Sequence, residues 1–536
     1  MKRWNGWGDE KNNLDFQLSK AGQEFVEGRI GKAVPLKDAT LDQVIAKVPA
    51  SRMPASELIK SGLISIDAET RVRHSRGQSI PDWLAMRSGE FGVFPDAVAQ
   101  PETTEQVETL INYAYQNDIV VIPYGGGTSV VGHINPEEGD KPVLTISLGK
   151  MNKLMHFDKT SQIATFGAGA LGPDVERQLK EHGYTLGHYP QSWELSSIGG
   201  WVASRSSGQQ SLRYGRIEKM FAGGTIVTPQ GLMDIPTFPA TSAGPDVREL
   251  FLGSEGRIGI ITEVKVRVMP VAEKEAFYVA FFPSWEQGVA ATRSIVQNNI
   301  QLSMMRLSNG IETKTHMTLG SPPAIKKVLD KYLGLRGIGD NKVMFTFGTT
   351  GSKEQCRSAL KLANKEIKKF SGVNTGSLLG KRWEHSRFRA PYLRHGLWEI
   401  GAAADSMETC VDWADVSKTM TDMENEIRDA IKDEGEVPHP FTHLSHFYGQ
   451  GCSVYTTFMF RTADNYDDTL KRWQKLKAAG ANAIVANGGT ISHQHGVGKD
   501  HAPYLEAEKG ELGIKALKGL YDTFDPESLM NPGKQV

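Results

Sequence analysis

The sequence predicts an α+β fold divided into two or more domains, and three observations carry this prediction. The first is length, because 536 residues exceed what one hydrophobic core ordinarily serves. The second is that strand and helix patterns alternate in close order over residues 92–182. The third is a change in sequence character after Pro270, where a new series of strands and helices begins.

The composition indicates a soluble globular protein and disfavours nucleic-acid-binding, disulfide-rich and membrane-spanning classes. The hydrophobic fraction is 39% and the charged fraction 23%, which is typical of a soluble globular chain. The net charge of −1 shows no basic excess, which disfavours nucleic acid as a partner. The three cysteines are far apart and fit neither a disulfide framework nor a metal motif. No signal peptide and no apolar run of about 18 residues is found, so we expect a cytoplasmic protein that does not span a membrane.

The first 90 residues read as a leader with helical patterns at 40–48, 55–61 and 79–86. Trp4 and Trp7 need burial, and we expect them to anchor this arm to the main body. A short strand at 92–99 precedes a helix that Thr103 or Thr104 can cap. Strands follow at 142–148 and 162–167, and a helix at 172–182.

A glycine turn follows the apolar run 119–122. Pro123 and Tyr124 lead into Gly125, Gly126 and Gly127, and Thr128 and Ser129 close the turn; we call residues 125–129 the glycine turn. Glycine takes positive φ at little cost, so backbone N–H groups can converge there on an anion such as phosphate. The spacing matches neither the P-loop nor the dinucleotide fingerprint. On this stretch alone, an ordinary glycine-rich turn is about as well supported as a phosphate site.

Two further loops are rich in glycine. Residues 186–208 hold six serines and four glycines among 23 residues, together with two tryptophans. Such a loop suits a long polar ligand, for example a pyrophosphate with a ribityl chain. Residues 253–259 form the other loop, and the alternating run 260–268 after it predicts a strand with one buried face.

After Pro270 the pattern predicts a separate substrate-covering domain. Strands are expected at 275–282, 304–307, 343–348 and 451–461, and helices at 284–298, 352–370, 412–433 and 505–524. The predicted division is an N-terminal arm (1–90), a cofactor domain (91–270), a cap (271–480) and a C-terminal segment that returns to the cofactor domain and active site (481–536).

Taken together, three motifs resemble a known family. They are Pro-Tyr-Gly-Gly-Gly-Thr-Ser-Val at 123–130, Ser-Ser-Ile-Gly-Gly-Trp-Val at 196–202, and Gly-Ser-Glu-Gly-Arg-Ile-Gly-Ile-Ile-Thr-Glu at 253–263. In this order they resemble the FAD-binding domain of the vanillyl-alcohol-oxidase (PCMH-type) flavoproteins. Within that superfamily, most of the chain resembles the alkyldihydroxyacetonephosphate (alkylglycerone-phosphate) synthase family. The resemblance implies a PCMH-type FAD-binding domain of two subdomains and an α/β cap with an antiparallel sheet.

The resemblance also implies where FAD binds. The glycine turn would hold the pyrophosphate, the loop 190–208 would contact the isoalloxazine, and Glu255 and Ile261 would lie near the adenine. No histidine stands inside the turn, so we expect non-covalent FAD. The implied cofactor-binding residues are Pro123, Gly125, Gly126, Gly127, Thr128, Ser129, Pro190, Ser192, Ser196, Ser197, Gly199, Gly200, Ser204, Ser207, Gly208, Glu255, Gly259 and Ile261.

Candidate catalytic residues stand in the second half. Residues 492–499 read Ser-His-Gln-His-Gly-Val-Gly-Lys and resemble the family's His-His-His-Gly motif, with Gln494 at the middle position. His493 and His495 therefore remain as candidate acid–base groups; the alternative is a pair of structural histidines in a loop.

Three other candidates come from the same resemblance. Tyr455 ends a segment that resembles the one with the family's catalytic tyrosine, and Arg306 and Arg394 resemble arginines of the family's active site. A guanidinium suits a phosphorylated or acidic substrate. A core tyrosine and surface arginines are the alternatives.

The reaction implied is exchange of the fatty acid of acyl-dihydroxyacetone phosphate for a fatty alcohol, through a flavin N5 adduct, in ether lipid synthesis. The family also suggests a homodimer, with peripheral membrane contact where its lipid substrates reside. The alternative is an FAD-dependent D-2-hydroxy-acid dehydrogenase. Those enzymes resemble one another in a His-Val-Gly-Asp-Gly-Asn-x-His metal segment, whereas residues 446–455 here read His-Phe-Tyr-Gly-Gln-Gly-Cys-Ser-Val-Tyr. No metal site is predicted, and the synthase interpretation is favoured.

Overall fold

Three large β-sheets organise the chain, and the computed structural model describes it over residues 1–10, 17–320 and 323–536. Two of the sheets lie before Pro270 in sequence, and the third is built from the residues that follow. The α+β class is confirmed, and so is an antiparallel sheet in the second half.

The smallest of the three sheets has four strands, and the glycine turn directly follows one of them, Val120–Tyr124. In spatial order its strands are Ile64–Ser65, Ala97–Ala99, Val143–Ser147 and Val120–Tyr124. The last three run parallel, so their carboxyl ends meet at one edge of the sheet, where ligands of such sheets commonly bind. Helix Thr104–Gln116 packs alongside, and Thr103 caps it by accepting from the N–H of Gln106.

A five-stranded antiparallel sheet completes the first half. Its strands, in order, are Leu154–Asp158, Ile163–Gly167, Ile260–Arg267, Phe221–Thr228 and Gly231–Ile235. Strand Ile260–Arg267 alternates between buried and half-buried residues over its second half, as predicted. The helices of the first half are Lys20–Ile30, Leu41–Ile45, Glu57–Lys60, Ala68–Arg73, Ile80–Ser88, Thr104–Gln116, Gly172–Lys180, Ile198–Ser204, Ser211–Tyr214, Ile217–Met220 and Arg248–Phe251.

The second half is built on a seven-stranded antiparallel sheet, which we call the cap sheet. Its strands, in order, are Val373–Asn374, Lys274–Phe282, Val343–Gly351, Met304–Ser308, His439–Phe447, Gly451–Arg461 and Ala402–Asp412. Successive side chains of a strand point to opposite faces. Phe282 therefore packs with helices Trp285–Gln297 and Lys353–Lys369, while Phe281 packs with Gly310–Gly320 and Pro323–Leu335. The other helices are Leu378–Ser386, Leu393–Trp398, Val416–Asp429, Tyr466–Ala486 and Leu505–Phe524.

Several elements differ from the prediction. The helix expected at 412–433 begins only at Val416, because residues 402–412 form an edge strand of the cap sheet. Alanine and acidic residues disfavour strands locally, so pairing with strand Gly451–Arg461 decides the structure there. The strand at 92–99 is limited to Ala97–Ala99, and the loop 186–208 contains helix Ile198–Ser204.

Both ends of the chain pack against the first half. In the tail, Leu529 accepts from the N–H of Val121, and Asn531 donates to the oxygen of Val121, each at 2.8 Å. Near the other end, Trp7 is buried in a cluster with Trp83 and Phe91. The domain boundaries stay a prediction; the one at 480/481 falls inside helix Tyr466–Ala486. No helix of the described residues is long and apolar enough to cross a membrane.

Candidate active site

The glycine turn is packed so closely that glycine is required at its centre. A Cβ atom on Gly126 would lie 1.7 Å from the backbone oxygen of Leu195, and Gly127 has a φ of +65°. Lys2 Nζ donates to the carbonyl oxygens of Gly126 and Gly127, at 2.7 and 3.2 Å. Because a cation holds these carbonyls, the N–H groups of the turn remain as the backbone groups that can bind an anion.

The serine-rich loop forms the neighbouring wall. Ser197 caps helix Ile198–Ser204 by accepting from the N–H of Gly200 at 3.3 Å. A Cβ atom on Gly199 would lie 2.7 Å from the Cβ atom of Ala168, so this helix packs tightly against the end of strand Ile163–Gly167. Ser207 Oγ is buried, and the described residues give it no hydrogen-bond partner.

Glu255 joins the two halves. Its carboxylate accepts from the backbone N–H groups of Val497 and Gly498, at 2.6 and 2.8 Å, and lies 3.0 Å from His133 Nε2. Burial opposes its charge, but His133 and these N–H donors keep the pKa of Glu255 below its usual range. Glu255 thus anchors one end of residues 492–498, which we call the histidine loop.

Glu408 anchors the other end of the histidine loop. It stands on strand Ala402–Asp412 and accepts from the backbone N–H groups of His493, Gln494 and His495, at 2.8, 3.0 and 3.1 Å. The hydroxyl of Ser492 also donates to it, at 3.0 Å. The loop therefore wraps its backbone amides around a buried carboxylate, as such nests of amides do for anions.

The two histidines of this loop have different surroundings. His493 Nε2 lies 2.7 Å from the hydroxyl of Tyr448, whereas the ring of His495 stands edge-on to Tyr455 with 5.7 Å between centroids. Burial lowers the pKa of both imidazoles, so each is neutral at pH 7. Only His495 of the pair lines the central cavity.

A third buried carboxylate, Glu312, lies beside the cap sheet. Its Oε1 atom accepts from Arg306 Nη2 and from His443 Nδ1, each at 2.9 Å. Burial favours the protonated acid, but the neighbouring Arg306 holds the pKa of Glu312 well below its usual range. This helix residue is therefore charged and paired with two side chains of the cap sheet.

Tyr455 lies beside that cluster. Its ring stacks on His443 with 4.8 Å between centroids, and its hydroxyl lies 2.7 Å from the hydroxyl of Ser406. Burial raises the pKa of Tyr455 to about 12, and the contact with Ser406 only partly opposes this. The phenol therefore carries its proton at neutral pH.

Arg394 makes more hydrogen bonds to the protein than Arg306 does. It donates from Nε to the oxygen of Ala404 at 3.1 Å and from Nη1 to the oxygen of Gln78 at 2.5 Å. Its Nη2 lies 3.5 Å from Asp405, and burial lowers the pKa of the guanidinium. Its donors bind protein atoms on three sides, and the side chain still lines the cavity.

One cavity connects the glycine turn and the serine-rich loop with Arg306, Tyr455 and His495. Its volume of about 470 Å³ is within the usual range for ligand sites. It runs from the glycine turn past the serine-rich loop to the cap sheet. All the predicted site residues line it except Gly208 and His493, which lie just outside. Sequence reasoning missed Glu312, Glu408, His443 and Lys2, because an isolated acid, histidine or lysine carries no motif.

The cavity suits FAD. The glycine turn and the serine-rich loop offer backbone amides and hydroxyls to a pyrophosphate, and a Cβ atom on Gly126 would leave no room for that geometry. The unpartnered hydroxyl of Ser207 is a further donor for a bound ligand. The apolar side chains Ile260, Ile261 and Leu148 line the same end of the cavity.

Comparison with known proteins agrees with this geometry. A family model described as an FAD binding domain matches residues 95–234, and one described as the C-terminal domain of FAD linked oxidases matches residues 271–535. A solved structure of p-cresol methylhydroxylase shares the fold, with a TM-score of 0.68 at 14% identity over 94% of this chain and 98% of that one. Residues 95–234 therefore match an FAD-binding domain, and FAD is the cofactor of this chain.

Over its whole length the chain is similar to alkyldihydroxyacetonephosphate synthases. The synthase of Dictyostelium discoideum is 29% identical over 100% of this chain and 93% of its own length. A solved structure of an alkyldihydroxyacetonephosphate synthase has a TM-score of 0.85 and 26% identity, over 99% of this chain and 98% of that chain. A glycolate oxidase subunit of Bacillus subtilis matches more distantly, with 24% identity over 83% of this chain and 90% of its own. The resemblance predicted from the motifs is confirmed.

Proposed function

We propose that this protein is an FAD-dependent transferase, like alkylglycerone-phosphate synthase, that exchanges the acyl chain of acyl-dihydroxyacetone phosphate for a fatty alcohol. The observation that carries the proposal is the single cavity, which joins an FAD-type glycine turn to the ionisable cluster of Arg306, Tyr455 and His495. Similarity to the synthases over the whole chain supports it. The hydroxy-acid dehydrogenase alternative has weaker support, because relatives of that kind are more distant.

Proton transfer in this scheme falls to Tyr455 and His495. When bound, FAD supplies the electron-accepting ring system of the reaction. Tyr455 carries its proton at neutral pH, since burial raises the pKa of its hydroxyl to about 12, and the protonated phenol is the group that can donate in this scheme. His495 is the complementary acceptor, because burial keeps its ring neutral. His493 does not line the cavity, so any part that it takes in proton transfer passes through its contact with the hydroxyl of Tyr448.

Arg306 and Arg394 bind negative charge. Among the described residues Arg306 donates one hydrogen bond, from Nη2 to Glu312, so other N–H groups of its guanidinium are available to a phosphate or carboxylate. Arg394 has donors fixed by the backbone of Gln78 and Ala404 and contributes mainly its charge. The substrate offers both kinds of anion, a phosphate ester and a departing fatty-acid carboxylate.

Two assays test the proposal. Fatty acid is expected to leave acyl-dihydroxyacetone phosphate only when fatty alcohol is added. The variant Tyr455→Phe is expected to lose activity by about 100-fold or more, the range for a general acid or base. Tyr278→Phe is the matched control, since Tyr278 belongs to the same sheet and does not line the cavity. Rapid anaerobic bleaching of the flavin by D-lactate would contradict the proposal.

The protein is proposed to contact membranes peripherally through helix Pro323–Leu335. Apolar residues recur along its exposed side, namely Ile325, Val328, Tyr332 and Leu335, which are 48%, 70%, 41% and 80% exposed. Lys327 and Lys331 are exposed on the same helix. An apolar stripe with flanking lysines favours an anionic lipid surface. We expect sedimentation with anionic vesicles that Val328→Asp weakens; equal sedimentation of the variant would contradict this.

Three further features complete the proposal: non-covalent FAD, a homodimer and a cytoplasmic location. The glycine turn contains no histidine that could attach the flavin. Acid precipitation is therefore expected to leave the flavin in the supernatant. Light scattering of the purified holoenzyme tests the dimer, for which a mass near twice 58.9 kDa is expected.

A further inference from the structure

Two polar residues of the cavity wall have no role in the proton transfers above. Glu312 and His443 are both buried and both line the cavity. They are joined by the 2.9 Å contact between Glu312 Oε1 and His443 Nδ1. This contact links a helix residue to a strand residue, so it fixes the imidazole ring relative to the cavity.

The charge of Glu312 decides which nitrogen of His443 carries the proton. Glu312 is a carboxylate, because the adjacent Arg306 keeps its pKa well below the usual range despite burial. A carboxylate only accepts hydrogen bonds, so Nδ1 of His443 is the donor. In the neutral ring the lone pair then lies on Nε2. No hydrogen bond to this Nε2 is found among the residues that the structure describes.

His443 is a neutral acceptor placed beside a cation. Burial, with a further contribution from Arg306, lowers the pKa of His443 to about 4, so the ring is uncharged at pH 7. The same carboxylate oxygen of Glu312 holds Arg306. The cavity wall thus offers two adjacent groups that bind different kinds of ligand atom. Arg306 attracts an anion, whereas the Nε2 lone pair of His443 needs a ligand that can donate a hydrogen.

We propose that His443, oriented by Glu312, accepts the hydrogen bond of the incoming fatty alcohol and so selects an alcohol over a fatty-acid anion. This inference rests on the proposed exchange reaction. In that reaction the bond between substrate carbon and carboxylate oxygen breaks, and the carboxylate leaves with the electron pair. The alcohol oxygen bonds to the same carbon, and its proton passes to Nε2 and then to solvent. A fatty-acid anion has no hydrogen to donate, so it gains nothing from His443.

The test compares Michaelis constants of the holoenzyme for its two substrates. His443→Asn keeps a donor near the Nδ1 position and removes the acceptor at Nε2. It is expected to raise KM for the fatty alcohol by about tenfold, the effect of one lost hydrogen bond. KM for acyl-dihydroxyacetone phosphate is expected to stay within about twofold, since that substrate does not use this contact.

Two variants sharpen the comparison. His443→Gln places an amide near the Nε2 position and is expected to recover part of the lost alcohol affinity. His439→Asn is the matched control, because His439 is a buried histidine of the same strand that contacts Thr315 and lies outside the cavity lining. It is expected to leave both Michaelis constants unchanged.

A measurement on the unaltered enzyme guards against variants that fail to fold. A long-chain methyl ether has the alkyl chain of the substrate without the hydroxyl, so we expect it to compete at least about tenfold more weakly than the alcohol binds. Equal competition would overturn the inference, as would a His443→Asn variant that changes both Michaelis constants equally or neither. If the unaltered enzyme released no fatty acid on addition of alcohol, the proposed function itself would fail.

Discussion

Glu312 and Glu408 are both buried carboxylates of the second half, and they differ in what surrounds them. Their side chains are 1% and 0% exposed. Glu408 is bound by three backbone N–H groups of the histidine loop and by the hydroxyl of Ser492. Glu312 is bound by the ionisable side chains of Arg306 and His443, and His316 Nε2 lies 3.4 Å from the same carboxylate oxygen. Glu408 is therefore bound mainly by backbone N–H groups, and Glu312 by side chains that line the cavity.

The difference separates structure from chemistry. Backbone N–H groups do not change their protonation. A carboxylate that they bind therefore fixes the shape of a loop and does not set the protonation of its partners. Arg306 and His443 respond to the charge beside them, so Glu312 determines which hydrogens they present to a ligand. We infer that Glu408 determines where the histidine loop lies, and that Glu312 determines what the cap-sheet wall can bind.

Acid is expected to have the largest effect, because both carboxylates lie among neutral histidines. Burial lowers the pKa of His443 to about 4 and that of His446 to about 3, against 6.5 in the unfolded chain. The unfolded state thus binds more protons below pH 6.5, and stability is lost as pH falls from 6.5 toward 4. The slope approaches about 1.4 kcal/mol per pH unit for each such histidine. Thermal unfolding of the holoenzyme measures it, and a constant Tm from pH 7 to 5 would contradict it.

Glu408→Gln is expected to have the next largest effect, on stability. The glutamine amide carries hydrogens where the loop presents donors, so buried N–H groups lose their acceptor. The cost is about 3 kcal/mol or more, as for other buried charges that lose a partner. Glu424→Gln is the matched control: Glu424 is a buried carboxylate outside the cavity lining, and burial raises its pKa. Similar Tm values for the two variants would refute the anchoring role of Glu408.

Glu312→Gln is expected to affect activity more than stability. The side chain of Arg306 is 23% exposed, so solvent partly replaces the partner that it loses. The free energy of unfolding is therefore expected to fall by only roughly 1–2 kcal/mol. The turnover efficiency kcat/KM is expected to fall by about 10- to 100-fold, because Arg306 and His443 both lose their orientation. A steady-state assay beside Glu424→Gln measures this. A large fall in Tm with normal kcat/KM would reverse the roles assigned to the two carboxylates.

Lys2→Met is expected to have the smallest effect, confined to the cofactor. Lys2 donates to the carbonyl oxygens of the glycine turn, so here too a charged side chain holds the backbone of a loop, as Glu408 does for the histidine loop. Its loss is expected to speed release of FAD by about tenfold, for one to two charged hydrogen bonds. Flavin fluorescence after dilution measures the release rate. Lys37→Met, at an exposed lysine, is the control, and equal rates for both variants would exclude a role for Lys2.

The sequence predicted the cofactor half of this site better than the cap half. Glycine packing at Gly126 and helix capping at Thr103 depend on local residue type, so they can be read directly from the chain. The predicted cofactor residues accordingly lie together along one cavity, with Gly208 as the exception. The roles assigned to them individually stay predictions.

The cap half depends on contacts between distant residues. Strand Ala402–Asp412 was missed because alanines and acids give no strand pattern, and its pairing partner lies some 50 positions later. Glu408 stands on that strand, so its binding by the backbone N–H groups of residues 493–495 could not be foreseen. Glu312 and His443 meet across 131 positions with no motif at either residue.

The most direct test of the account follows the oxygen of the fatty alcohol. Alcohol labelled with heavy oxygen is supplied with unlabelled acyl-dihydroxyacetone phosphate, and the products are analysed by mass spectrometry. The exchange reaction predicts that all of the label appears in the ether product and that the released fatty acid carries none. An unlabelled ether, a labelled fatty acid, or consumption of the substrate only with reduction of the flavin would contradict the account.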